Sequence, residues 1–220
     1  MNKINILPRI LLTGFDPFGG ETVNPSWEAV RALHGRRVGG HQIVARQLPT
    51  EFAVSLRVLK AAMRELKPAI VLGVGQAGGR AQLSLERVAI NLQDARIPDN
   101  SGAQPIDEAV IADGPAAYFS TLPLKTMLAA LQDAGVPAMI SHSAGTYVCN
   151  HIAYAMLHFS AKARGVRAGF IHIPYLPVQA AQLRDAPSMA QADVERALLI
   201  ALRVATATQR DRKLVGGSID

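Results

Sequence analysis

The apolar positions of this chain fall into short runs and helical stripes that follow one another in turn. Residues 9–13 form a nearly continuous apolar run, read as a buried strand, which ends in a loop carrying Phe15, Asp16, Pro17 and Phe18 between glycines. Asn24 and Pro25 then supply a helix N-cap and a first-turn proline, with Trp27, Val30 and Leu33 as the apolar face and Gly35 as the stop. Residues 42–48 read as a second strand. Thr50 is placed to cap a longer helix, whose Phe52, Leu56, Leu59, Met63 and Leu66 recur at steps of 4, 3, 4 and 3 before Lys67-Pro68. Residues 69–74 are apolar almost throughout, as a strand covered on both faces must be. A Gly-rich turn at 75–79 leads to residues 84–92, which alternate. Glu86, Val88, Ile90 and Leu92 share one face and Arg87, Ala89 and Asn91 the other, the period of a single strand.

Residues 93–123 are rich in Asp, Pro, Asn and Gly and read as a long connection, a length common in functional loops. A helix over 124–134 stopped by Gly135, a strand over 138–141, a helix from Cys149 to about 165 and a strand over 168–173 follow. Ser188 and Gln191 form a capping box for a last helix with Val194, Leu198, Ala201 and Leu202 inward; the polar tail from Gln209 reads as frayed. Alternating strands and helices predict an α/β fold. The expectation is a single three-layer α/β/α domain over residues 1–220, with a mostly parallel, twisted central sheet. Sites in such sheets form outside the carboxyl ends of the strands, and Phe15, Gln76, Cys149 and His172 all fall at or just past a predicted strand end.

Composition narrows the classes. One cysteine excludes an intrachain disulfide framework and suits the cytoplasm. The apolar run at the start is too short for a secretory signal, and no stretch reaches the roughly 18 apolar residues of a membrane span. The net charge of +6 comes from scattered Lys and Arg without interleaved aromatics, so it reads as solubility rather than nucleic-acid binding.

The lone cysteine is the first candidate for chemistry. Cys149 opens a helix, where backbone N–H groups and the helix dipole favour a thiolate and are expected to lower its pKa. The alternative is a small buried hydrophobe. A thiol nucleophile needs a base and a group that orients the base. Among six histidines, His172 ends a buried strand at the predicted site edge, although a satisfied core histidine fits the same pattern. Glu86 stands in an otherwise apolar alternation, where a carboxylate must be paired; a salt bridge to Arg87 or another arginine is the competing reading. Gly73-Val74-Gly75-Gln76-Ala77-Gly78 matches G-x-G-x-x-G, but a dinucleotide fingerprint requires a helix next, and an alternating strand pattern follows instead, so a tight turn is preferred. Phe15 and Phe18 either wall a small apolar pocket or pack the loop onto the core. No metal-ligand spacing occurs, and no cofactor is expected.

With these residues assembled, the sequence resembles the pyroglutamyl peptidase type I (pyrrolidone carboxyl peptidase) family of cysteine peptidases. The resemblance is carried by residues 12–20, Asn24-Pro25-Ser26-Trp27, the Gly75–Arg80 turn, residues 86–91, residues 96–100, residues 144–151 and residues 170–175, and so runs nearly end to end. It implies a thiol exopeptidase that removes N-terminal pyroglutamate from peptides, with a triad of Cys149, His172 and Glu86. It also implies that Phe15 and Phe18 sandwich the lactam ring, that Thr50, Gln76, Ile97, Tyr147 and Val148 line the pocket, and that Arg96 assists near the oxyanion. Tyr147 departs from the phenylalanine common in the family. The resemblance further implies a cytoplasmic homotetramer, for which Tyr175-Leu176-Pro177-Val178 is an exposed apolar contact candidate.

Overall fold

The computed structural model describes residues 7–217; the first six residues of the N-terminal run read as too short for a signal lie outside them. The elements in chain order are β1 (Arg9–Phe15), α1 (Pro25–Ala32), β2 (Arg37–Val38), β3 (His41–Leu48), α2 (Phe52–Leu66), β4 (Ile70–Gln76), β5 (Leu83–Glu86), β6 (Val88–Ile90), β7 (Ala117–Phe119), α3 (Leu124–Asp133), β8 (Ala138–Ser141), α4 (Val148–Ala161), β9 (Arg167–Ile173), α5 (Pro177–Ala180) and α6 (Gln191–Ala207). Seven strands form one sheet in the order β2-β3-β1-β4-β9-β5-β8, and β6 and β7 pair separately. β3, β1, β4 and β9 run parallel, while β5 is antiparallel to β9 and parallel to β8. The sheet is therefore mostly parallel, with the two-residue edge strand β2 and the last two strands, β5 and β8, reversed.

Alternation across the strands divides the core in two. Ile10, Leu12, Ile43, Leu72, Leu85 and Ile171 face one way, onto α1, α3 and α6. Leu11, Phe15, Val71 and Phe170 face the other way, onto α2 and α4. The three-layer α/β/α expectation holds. α4 is buried nearly all round, because the sheet lies beneath it and β6, β7 and α2 pack around it.

Asn24 caps α1 as expected: its Oδ1 accepts from Ser26 N at 3.0 Å, and Pro25 takes the first helical position. Three expectations are corrected. Residues 84–92 are not one strand. β5 ends at Glu86, and β6 leaves for its own pairing with β7, because Arg87 N bonds to Ser141 O while Arg87 O accepts from Ser120 N. Glu86 consequently does not share a face with Val88 and Ile90: Leu83 and Leu85 enter one core, and Ser84 and Glu86 turn to the α4 side. The Ser188–Gln191 capping box is not formed. Ala190 is the N-cap of α6, Ser188 bridges to Tyr175, and Gln191 donates to Glu195. The tail is docked rather than frayed through residue 214. The Asp211 carboxylate accepts from Lys125 N and Thr126 N at the start of α3, and Lys125 Nζ donates to Leu214 O.

Candidate active site

The parallel register of β4 and β9 sets Gly75 opposite His172. Paired residues point to the same face, so a side chain at 75 would stand next to the imidazole. Gly75 has none, and a Cβ built there would lie 2.7 Å from Cys149 Sγ and 2.9 Å from the Phe170 ring. The sulfur thus fills the space that glycine leaves, beside the position that carries the histidine. β8 ends level with the middle of β9, through Ser141, Glu86 and Phe170, and the loop over 142–147 carries the chain back to start α4 there.

The antiparallel β5–β9 pairing brings in the acid. Ser84 is opposite His172 and Glu86 opposite Phe170, and the diagonal contact puts Glu86 Oε1 2.8 Å from His172 Nδ1. A carboxylate only accepts, so Nδ1 carries the hydrogen and Nε2 is left with the lone pair of a base. Phe170 holds the imidazole edge-on at 5.0 Å between centroids. Glu86 and His172 are both almost completely buried, and Oε1 also accepts from Arg80 Nη1 at 2.8 Å. The paired arginine is Arg80 rather than Arg87. Among the described residues no hydrogen bond joins the Cys149 thiol to the imidazole, a looseness common before substrate binds.

The expected lowering of the Cys149 pKa is overturned. Burial pushes the thiol up to about 12, the Glu86 carboxylate adds to the rise, and Arg80 opposes it. The residue keeps partial solvent contact and begins a helix, which pull the same way as Arg80, but burial beside a carboxylate wins. The resting group is a thiol that must pass its proton to a base. No side chain caps α4, so its first-turn N–H groups remain available to an anion forming over Cys149.

Loops close the mouth. Asp16 Oδ1 accepts from Thr50 N at 2.6 Å and from Asn100 Nδ2 at 3.4 Å; its carbonyl accepts from Asn24 Nδ2 and the Thr50 hydroxyl. Thr50 therefore does not cap α2. The cap comes from the far loop, where Asp99 Oδ2 accepts from Phe52 N and Oδ1 from Ser101 and Ala103. The Tyr147 hydroxyl donates to Pro98 O at 3.0 Å, and its ring meets Phe52 and Phe18 at 5.5 and 6.2 Å. Phe15 is buried against Phe170, Val148 is buried at the start of α4, and Gln76 accepts from Gln179. Arg96 and Ile97 stand exposed on the 96–100 loop. Sequence reasoning passed over Asp16, Arg80 and Asp99 as site residues, although each lies inside a motif it had marked. The Asp16 carboxylate depends on partners 34 and 84 residues away and the Asp99 cap on Phe52, 47 away; Arg80 is only six residues from Glu86, but the two meet because the turn after β4 folds back, which no local pattern displays.

The Gly-rich turn after β4 leads into β5, not a helix, so the structural context of a dinucleotide fingerprint is missing. A depression of about 570 Å³ lies at the other end of the strands, lined by Met63, Phe159 and Val166 with Lys60, Lys67 and Lys162. It is larger than a lactam needs, but it holds no nucleophile and no carboxylate. Its cations gather where α2 and α4 end, as helix dipoles favour. The candidate nucleophile and its neighbours stand at the Cys149 end.

A thiol, an imidazole oriented by a carboxylate and a row of unpaired amides are the parts of a nucleophilic acyl-transfer site. Comparison with known proteins finds relatives along nearly the whole chain. The model of the pyroglutamyl peptidase family matches residues 8–208. The pyrrolidone-carboxylate peptidase of Erwinia tasmaniensis is 55% identical over 212 residues, 96% of this chain and 99% of that one. That of Klebsiella pneumoniae is 56% identical over 209 residues, 95% of this chain and 98% of its own. Among solved structures, pyroglutamyl peptidase I from Bacillus amyloliquefaciens superposes with a TM-score of 0.92 at 48% identity, covering 95% of this chain and all of that one. Pyrrolidone carboxyl peptidase from Thermococcus litoralis superposes at 0.88 with 40% identity, covering 90% and 93%.

Proposed function

This chain belongs to the pyroglutamyl peptidase family, and from that premise we propose that Cys149 is the nucleophile, His172 the general base and Glu86 the group that orients the base. The enzyme is a cysteine-type hydrolase that removes N-terminal pyroglutamate from peptides. The observation that carries the assignment is Glu86 Oε1 at 2.8 Å from His172 Nδ1, with the Cys149 sulfur lodged in the space beside it at Gly75.

The steps follow from the positions. His172 Nε2 takes the thiol proton as the sulfur bonds to the carbonyl carbon that joins pyroglutamate to the next residue. Glu86 steadies the imidazolium so formed, and the α4 amide N–H groups donate to the oxyanion, each such donor contributing about 3 kcal/mol in comparable sites. The C–N bond breaks, the imidazolium proton leaves with the peptide amine, and a thioester remains. Water, deprotonated by His172, then releases 5-oxoproline and restores the thiol. Because the lactam carries no charged amine, an apolar slot with a few hydrogen bonds suffices. Phe15 and Phe18 serve as its faces, Thr50, Gln76, Ile97, Tyr147 and Val148 as its lining, and Arg96 approaches the oxyanion from the exposed loop.

Cys149→Ala is expected to abolish release of a fluorophore from its pyroglutamyl amide while the thermal melting curve stays close to the parent's. Near-parental turnover in that variant would overturn the assignment. The enzyme is further proposed to be a cytoplasmic homotetramer. The single free cysteine suits that compartment, and no helix among the described residues is long and apolar enough to cross a membrane. Val178 and Leu183 expose apolar surface after β9; Leu176, expected there too, is buried and supplies none. Light scattering at a monomer mass would remove the tetramer.

A further inference from the structure

We propose that Arg80 is a positioning residue for the reaction: its guanidinium fixes the Glu86 carboxylate against His172, ties the loop before the nucleophile to the same carboxylate, and balances its charge. The proposal rests on the Cys149–His172–Glu86 reading. One Glu86 oxygen, Oε1, serves both partners, accepting from His172 Nδ1 and from Arg80 Nη1 at 2.8 Å each. The other oxygen, Oε2, is buried without a hydrogen-bond partner among the described residues, so none of these holds the carboxylate from that side. Arg80 also donates from Nη2 to Ser143 O at 3.2 Å, in the loop that leads to α4. The guanidinium therefore bridges two segments, β5 and the 142–147 loop, that carry the acid and deliver the sulfur.

Charge accounts for the rest. The groups facing the acid–base pair are Arg80 from the β4–β5 turn and Cys149 from α4. Nearby are Tyr175, whose ring packs on Gly78 of that turn, Arg87 next to Glu86 in the chain, and exposed His142 after β8. The Arg80 guanidinium and the Glu86 carboxylate together carry no net charge, and moving a proton from the thiol to the imidazole adds one negative and one positive charge beside them. Without Arg80 the same transfer creates a thiolate beside an uncompensated carboxylate, which both hinders the thiolate and favours a protonated imidazole.

Two variants, Arg80→Met and Arg80→Lys, test this through the pH profile of kcat/KM and the rate of Cys149 alkylation by iodoacetamide, followed by intact mass. Arg80→Met is expected to lose about 10- to 100-fold in kcat with little change in KM, a size typical of a disturbed acid–base partner. Its acid limb should move to higher pH, because the base is freed of its proton only there, and alkylation near pH 8 should slow by about three- to tenfold. Arg80→Lys keeps the charge but not the fork, so the acid limb should stay in place with partial recovery of kcat. A merely structural arginine would lower the melting temperature in both variants and leave limb and alkylation rate unmoved, which would overturn the proposal. Should Arg80→Met not fold, the same measurements on Arg80→Gln decide. Turnover by Cys149→Ala would instead strike the triad itself, so the two failures are distinguishable.

Discussion

The side chain absent at position 75 makes room for the sulfur. Gly75→Ala places a methyl 2.7 Å from Cys149 Sγ and within 3.0 Å of the Phe170 ring, so one of them must move. A shift of about 1 Å at a reacting atom costs on the order of 100-fold, and kcat is expected to fall by about that much while circular dichroism keeps the parent spectrum. The raised pKa of Cys149 sets a second expectation. Inactivation by iodoacetamide should not level off near pH 7 but continue to climb above pH 9, as the buried thiol ionises. His151, two residues on, acts through stability. Burial holds its pKa down to about 4, against a weaker opposing contribution from the Phe52 backbone, and its Nδ1 lies 2.9 Å from Gln93 Oε1. The unfolded chain takes up this proton below about 6.5 and the folded chain only near 4. Stability is therefore full above 6.5 and falls as pH drops through that window, by on the order of 3 kcal/mol at its foot. Urea titrations between pH 7 and 4 should show a shallower decline in His151→Gln; an unchanged slope would exclude this origin.

At the scale of elements, the mouth of the site is assembled by loops that cap helices at a distance. Asp99 provides the N-terminal cap of α2 from the 96–103 segment, and hydrogen bonds from Phe52, Ser101 and Ala103 hold its carboxyl below the usual range although burial opposes them. Asp99→Ala should cost about 1–2 kcal/mol, as lost caps do, and should raise KM more than it lowers kcat, because the 96–103 segment beside Tyr147 loosens while Cys149, His172 and Glu86 stay in place; chemical denaturation and steady-state kinetics check both. The same element shows where reading a chain stops. The stripe of Phe52, Leu59 and Leu66 was legible because helical period is local, and so were Asn24 before α1 and the buried strands β1, β4 and β9. Thr50 looked like a cap because the residue type and offset fit, yet its hydroxyl is engaged by Asp16. The alternation through 84–92 was real, but only the sheet decides that β5 stops at Glu86. Cys149 was visible as the lone cysteine opening a helix, His172 as a histidine at a strand end and Glu86 through the cost of its placement, while Arg80 needed the fold to meet its carboxylate.

At the scale of the whole molecule, the four parallel strands β3, β1, β4 and β9 meet the reversed β5 and β8 at the β9–β5 boundary, which is where His172 and Glu86 face each other. The C-terminal tail then closes the far side of the reversed pair's helix: Asp211 caps α3 and Lys125 reaches Leu214. Asp211→Ala should lower the melting temperature, through a loss of about 1–2 kcal/mol typical of an N-cap, and leave kcat/KM unchanged; a differential scan beside an activity assay separates the two. Asp16 gives the molecule a different property. Four stretches of chain, the first loop, the start of α1, the β3–α2 junction and the 96–100 segment, converge on this one residue. They cannot breathe independently. Admission of a peptide and its release should be a concerted gape of the whole rim, seen in hydrogen exchange as amides from all four stretches opening at a common rate while the strands below stay shut.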